Sequence, residues 1–244
     1  MIHYIHPQAT VGRYCTIGFF SVVREGAFIG NGTAIGNNVT VYPGTVVGEN
    51  SYLGDNCVIG KLPHPAKTST ARMDIPFHPL RIGAGAILGS GVVLYAGSIL
   101  SEEVMIGDLA SVREMCRIGR SVTVGRGAVL ENSVSVGDYT KIQTGAYLTA
   151  YTEVGAYAFI APMVCTANDN FMGRTEERFS RKKGPRVDDG ARVGAVSLLL
   201  PGVTVAAETF VAAGSLVSRD TLPGTLVMGR PAKFVRHMQD KEKW

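Results

Sequence analysis

At 244 residues and 25.9 kDa the chain has room for one large domain or two small ones, and its 30 glycines with 18% charged and 8% aromatic residues fit neither a disordered chain nor a helix-rich one. The glycines lack the every-third-residue spacing of collagen, no apolar run approaches the roughly 18 residues of a membrane span, and Met1 to Thr10 lacks a basic-then-apolar leader. A net charge of +4 is too slight to argue for a nucleic-acid partner, so a cytoplasmic protein without nucleic-acid or membrane contacts is expected.

Along the chain every sixth residue is aliphatic, from Val11 to Ile59, again from Ile82 to Ile160, and finally from Val187 to Val217, giving 29 hexads. Four residues after each aliphatic the side chain is almost always small, as at Cys15, Ser21, Ala27 and Thr33. Residues two apart in a strand point to the same side, so each hexad reads as a short strand with one small and one aliphatic side chain facing inward, then a turn. Gly follows the aliphatic in 15 hexads, where the turn needs positive φ or close backbone approach. Three strands and three turns make an 18-residue triangular coil, and stacked coils make a parallel β-helix. Cys15, Cys57 and Cys116 take the small inward position in distant coils, so no disulfide joins them; with no Cys-x-x-Cys or Cys/His cluster, no metal is expected.

One corner departs from the pattern. After Val23, Val41, Leu94, Val112, Leu130 and Leu148 the chain reads Arg24-Glu25, Tyr42-Pro43, Tyr95-Ala96, Arg113-Glu114, Glu131-Asn132 and Thr149-Ala150 instead of Gly. Both breaks in the hexad frame, at about 61–81 and about 168–186, leave from this third corner and return in phase on the next face. With strands about 4.8 Å apart, Glu131-Asn132 lies about 10 Å from the second loop and about 14 Å from the first. Long insertions on one edge of a solenoid mark its binding face.

The [Leu/Ile/Val]-Gly-x-x-small-x repeat over residues 11–222 resembles that of the left-handed β-helix acyltransferases, and the left hand is taken from that resemblance. It implies an all-β fold of about ten coils over residues 1–222, with a 223–244 extension. Within it, Glu131-Asn132, Lys141-Ile142-Gln143 and Thr166 to Asp169 are similar to signatures of the coenzyme-A-dependent N-acetyltransferases of nucleotide-linked amino sugars, and Ser111 to Gly119 resembles the coil before the Glu-Asn pair. The resemblance implies a homotrimer using acetyl-coenzyme A as co-substrate, with Asn132 beside the sugar. Glu131 or Glu114 is then a candidate acceptor for the amine proton. Ala195 and Ala213 match the coils that offer backbone groups to pantetheine. Arg230 and Lys233, in a Gly-x-Pro-Ala-Lys ending, are candidates for the coenzyme 3′-phosphate, and Phe234-Val235 would begin a short covering helix. Lys183 belongs to a basic run in the second loop, with Arg174, Arg178, Arg181, Lys182 and Arg186, suited to coenzyme or nucleotide phosphates.

Two other readings stay open. His64 and His78, in the first loop, would serve as base in an O-acetyltransferase of a sugar or small alcohol. A non-catalytic β-helix scaffold is the third. The zinc-dependent carbonic anhydrases that share the fold need three coil histidines, and none of this chain's five histidines falls on a hexad.

Overall fold

The computed structural model describes residues 2–67, 69 and 76–242, which wind as a three-sided parallel β-helix. Each side of a coil contributes one short strand, such as Thr10–Val11, Thr16–Ile17 and Val22–Val23 on faces one, two and three. The faces are sheets of 10, 12 and 11 strands. Within a face, away from the loops and the C-terminal end, residue n pairs in parallel with residue n+18, as Val112 does with Leu130 and Leu130 with Leu148. The amide of Glu131 donates to the carbonyl of Leu148 at 2.8 Å, and such bonds tie each coil to its neighbours.

The hexad aliphatics form the core. Ile29, Leu53, Leu88, Leu130 and Ile142 are wholly buried, and the small residues Thr33, Val39, Cys57 and Ala110 share the interior with them. Both loops leave face three and rejoin face one in register. Ile82 pairs with Val47 and Leu100, and Val187 pairs with Val154 and Val205.

The close approach and the positive φ demanded by the turn fall on different residues. A Cβ on Gly125, directly after an aliphatic, would lie 2.4 Å from the backbone nitrogen of Thr144 in the next coil. The left-handed backbone comes two residues later, at Gly127 (φ +62), where no atom lies within 4 Å of a built Cβ.

The solenoid extends beyond the hexads at both ends. Tyr4–Ile5 pairs with Val22–Val23, and Thr225–Met228 continues face two beyond Phe210–Val211, so face three alone holds eleven strands where about ten coils were expected. The helix expected at Phe234-Val235 is absent. Those residues lie in a strand, Lys233–His237, antiparallel to Thr225–Met228. The reason is the free edge of face two, whose amides and carbonyls find partners there, whereas Phe234 (54% exposed) and Val235 (44%) have no core to cover. Among the described residues helix is confined to Arg178–Arg181 and a 3-10 turn at Asp240–Glu242. No helix of the described residues is long and apolar enough to cross a membrane.

Candidate active site

Corner three carries a cavity of about 850 Å³ built from both loops and four successive coils. Its coil wall presents Glu114, Glu131 and Asn132, the first loop brings His64 and His78, and the second brings Lys182. All five residues nominated for chemistry therefore share one space. The left-handed backbone of the Asn132 turn is carried by Ser133 (φ 60), so the turn does not require Asn at 132. The backbone carbonyl of Asn132 accepts from the Tyr151 amide at 3.2 Å, whereas its side-chain amide makes no hydrogen bond among the described residues. That leaves one donor and one acceptor group for a ligand.

Arg113 organises the two carboxylates. Its Nε and Nη2 reach Glu114 at 2.8 and 2.9 Å, and its Nη1 reaches Glu131 at 3.3 Å. The guanidinium also stands 5.1 Å from the centre of the Tyr95 ring, within cation–π range. Burial alone would weaken its charge, but Glu114 and Glu131 outweigh it and raise its pKa. Both oxygens of Glu114 are thus engaged, and Glu131 is the freer carboxylate. Behind them the Cys116 thiol donates to the Glu131 carbonyl at 3.1 Å; burial pushes its pKa up to about 12, so it stays neutral. Burial, then the charge of Glu131, raises the pKa of Tyr147, which remains a phenol and hydrogen-bond donor beside the cavity.

The Thr166 to Asp169 segment anchors the second loop. Thr166 Oγ1 accepts from the Thr149 amide at 2.7 Å, and Asn168 Nδ2 donates to the Ala150 carbonyl at 3.2 Å. Asp169 accepts from the amides of Phe171 (2.8 Å) and Gly173 (3.1 Å) and pairs with the buried Arg178 at 3.4 Å. Desolvation opposes its ionisation, but these partners prevail and hold its pKa below the ordinary value. The basic run does not form a single phosphate-facing array. Arg178 turns to Asp169, Arg181 to Glu177, and Arg186 to Asp188. Lys182 faces the cavity with its ammonium 5.3 Å from the Phe179 ring centre, and its pKa is lowered by burial and then by Arg178.

Four of the five residues nominated for the coenzyme fall elsewhere. Ala195 and Ala213 lie on successive turns of corner two, across face three from Asn132. Arg230 Nε caps that edge by donating to the Gly214 carbonyl at 2.7 Å, and Lys233 opens the antiparallel strand. Lys183 is on corner three, where its amide donates to the Asn168 carbonyl at 3.1 Å. The sequence reading assigned no role to Arg113, Tyr95, Tyr147 or Phe179. Arg113 and Tyr95 were signalled by standing where other corners carry Gly; Tyr147 and Phe179 occupy ordinary outward or loop positions and gave no signal.

Two family profiles match this chain: one described as "Bacterial transferase hexapeptide (six repeats)" over residues 26–61, and one described as "Hexapeptide repeat of succinyl-transferase" over 8–43 and 116–150. The three-sided, all-β parallel solenoid is consistent with the left-handed β-helix hexapeptide-repeat fold. The chain is 34% identical over 149 residues to Gamma carbonic anhydrase 2, mitochondrial, of Arabidopsis thaliana, covering 59% of this chain and 51% of that protein. It is 25% identical over 186 residues to Bifunctional protein GlmU of Thermotoga maritima, covering 64% of this chain and 41% of that one. It thus spans about half the length of these curated relatives or less. A hexapeptide-repeat-containing acetyltransferase of Vibrio cholerae, solved with acetyl coenzyme A, aligns at 25% identity and a TM-score of 0.45, covering 50% of this chain and 71% of that one.

Proposed function

We propose that this chain is an acetyl-coenzyme A-dependent N-acetyltransferase acting on an amino group of a nucleotide-linked amino sugar. The observation that carries the reading is the corner-three cavity, which gathers Glu131, Asn132 and Lys182 from coils and second loop around space for a sugar. The matched profiles describe bacterial transferase and succinyl-transferase repeats, which supports acyl transfer. In the reaction the neutral amine attacks the thioester carbonyl carbon, forming C–N and a tetrahedral oxyanion. Collapse breaks C–S, the amine proton leaves, and the coenzyme departs as its thiol. Asn132 orients the amine or a neighbouring hydroxyl through its unpaired amide, Glu131 accepts the proton directly or through water, and Tyr147 offers a hydrogen bond. Glu114, held at both oxygens by Arg113, positions that guanidinium.

Acetyl-coenzyme A is assigned to corner two, along Ala195 and Ala213, with Arg230 and Lys233 toward the 3′-phosphate. Since face three separates that edge from Asn132, one copy's coenzyme meets another copy's Asn132 only across an interface, which supports a homotrimer. Face three suits such contact: its outward residues Val93, Ser111, Val129, Leu198 and Leu216 carry no charge. Four free cysteines fit a cytoplasmic location. Asn132→Ala is expected to lower kcat/KM by about 100-fold on the true acceptor, on the scale of one lost positioning contact, without changing the thermal midpoint. An unchanged kcat/KM removes Asn132 from the mechanism.

A second reading, O-acetylation with a loop histidine as base, is favoured by the presence of His64 and His78 in the same cavity. It requires that turnover be lost in His64→Ala or His78→Ala. N-acetylation expects turnover to survive both substitutions. The carbonic anhydrase reading would need three imidazoles at one place. Here His3 and His6 lie in the first coil, His64 and His78 in the first loop, and His237 in the antiparallel strand.

A further inference from the structure

The Lys141-Ile142-Gln143 segment does not reach corner three. Ile142 is buried in the core and Lys141 projects from face two, where it enters a second cavity, of about 650 Å³, between corner one and that face. Tyr139 and Tyr157 stand on successive turns of corner one with rings 5.1 Å apart and 12° from parallel, each about two-fifths exposed. Both have left-handed backbones (φ 59 and 56), as do Tyr14, Asn50, Glu103, Ser121 and Glu208 at the equivalent turn of other coils.

Lys141 and Arg192 bring positive charge beside the rings, in a cavity that Glu208 and Glu242 also line. Lys141 makes no ion pair among the described residues. Arg192 spends its Nη2 on the backbone carbonyl of Glu242 at 2.5 Å, and its Nε is buried with no hydrogen-bond partner among the described residues. The Glu242 carboxylate is committed to Arg236, at 2.8 Å on each oxygen, and that partnership lowers its pKa to about 2. A buried guanidinium N–H without an acceptor is costly in the free protein and is relieved by an anion. Aromatic faces, a lysine with no ion pair among the described residues and an unsatisfied guanidinium donor together suit a planar ring that carries phosphate.

We propose that this cavity binds a nucleoside phosphate, its base against the Tyr157 and Phe159 rings and its phosphate on Arg192 and Lys141. Glu208, which also lines the cavity, is an acceptor for ribose hydroxyls. The site lies away from the corner-three cavity and does not depend on acetyl transfer, so its test needs no turnover.

Calorimetry on the full chain with ADP, UDP, inorganic phosphate and adenosine reads the site directly. ADP or UDP is expected to bind at least about tenfold more tightly than phosphate or adenosine, since only the whole nucleotide engages both rings and cations. Preference for ADP would indicate the coenzyme's nucleotide as the source, and preference for UDP that of a sugar nucleotide. Lys141→Gln, Arg192→Gln and Tyr157→Asn should each weaken binding about tenfold, Asn being chosen because it accepts the left-handed backbone. Photolabelling with 8-azido-ADP should modify the segment from Tyr139 to Phe159, and Arg230→Gln should leave that label in place. Absence of nucleotide binding, binding untouched by all three substitutions in folded variants, or a label lost in Arg230→Gln overturns the proposal.

Discussion

Asn132 and Gly125 each follow an aliphatic of the core by one or two residues, yet they answer to different constraints. Gly125 is required by the coil above, because any Cβ there would meet the backbone nitrogen of Thr144 at 2.4 Å. Gly127, two residues on, is required only by its φ of +62. Gly125→Ala is therefore expected to cost about 3 kcal/mol through overpacking against backbone that cannot yield. Gly127→Ala should cost about 1 kcal/mol, the strain of one left-handed residue. Denaturant unfolding of the two variants compares them, and equal costs would contradict the close-approach explanation. Asn132 answers to neither constraint, since Ser133 carries the left-handed turn and its own side chain is unpaired.

At the scale of elements, the second loop shows how a family-like signature can serve structure first. Thr166, Asn168 and Asp169 spend their side chains on Thr149, Ala150, Phe171, Gly173 and Arg178, which fixes the loop that carries Lys182 into the cavity. Asp169→Asn should accelerate tryptic cleavage at Arg174 and Arg181 severalfold while the β-helix stays intact by circular dichroism. Its pH dependence has a definite sign. Because the folded pKa lies below the ordinary 3.8, the anchoring is fully present above that value and is lost as pH falls through the lowered one. Cleavage at Phe171 and Phe179 by pepsin should therefore rise only below about pH 4, and an increase already at pH 5 to 6 would assign the loop's stability to another group. Arg113 plays the corresponding part on the coil wall. Removing it leaves Glu114, 7% exposed, without its partner, and Arg113→Met is expected to destabilise by ~2 kcal/mol, less than for a fully buried pair because the guanidinium is partly exposed.

Across the whole molecule, a triangular solenoid offers long faces and three edges, and residues on different edges of one copy cannot converge. Corner three holds the candidate chemistry, corner two the candidate coenzyme residues, and corner one with face two the proposed nucleotide cavity. Sedimentation should accordingly give a particle of three times 25.9 kDa, with a thermal midpoint that rises with protein concentration. A monomer that turns over would rule out the shared site. Much of this arrangement was legible beforehand, because the hexad period fixes which residues face inward and the labelling of corners placed both loops with Glu131-Asn132. The cation clamp was not legible: nothing in the order of residues tells that Arg113 bonds Glu114 beside it and Glu131 one coil above.

By itself the sequence determined the coil, its core ladder and the edge on which irregular residues gather, because a six-residue period with two inward positions fixes which side chains face the axis. Only the tertiary structure decided what those residues do to one another. It showed Arg113 occupying Glu114, Ser133 rather than Asn132 carrying the turn, and Lys141 facing a different cavity. It also turned the tail at Phe234-Val235 into a strand, since the open edge of face two had unpaired backbone groups to satisfy. Contacts between coils join residues a dozen or more apart in the chain, so they depend on register and on where each loop rejoins, which local pattern alone does not specify.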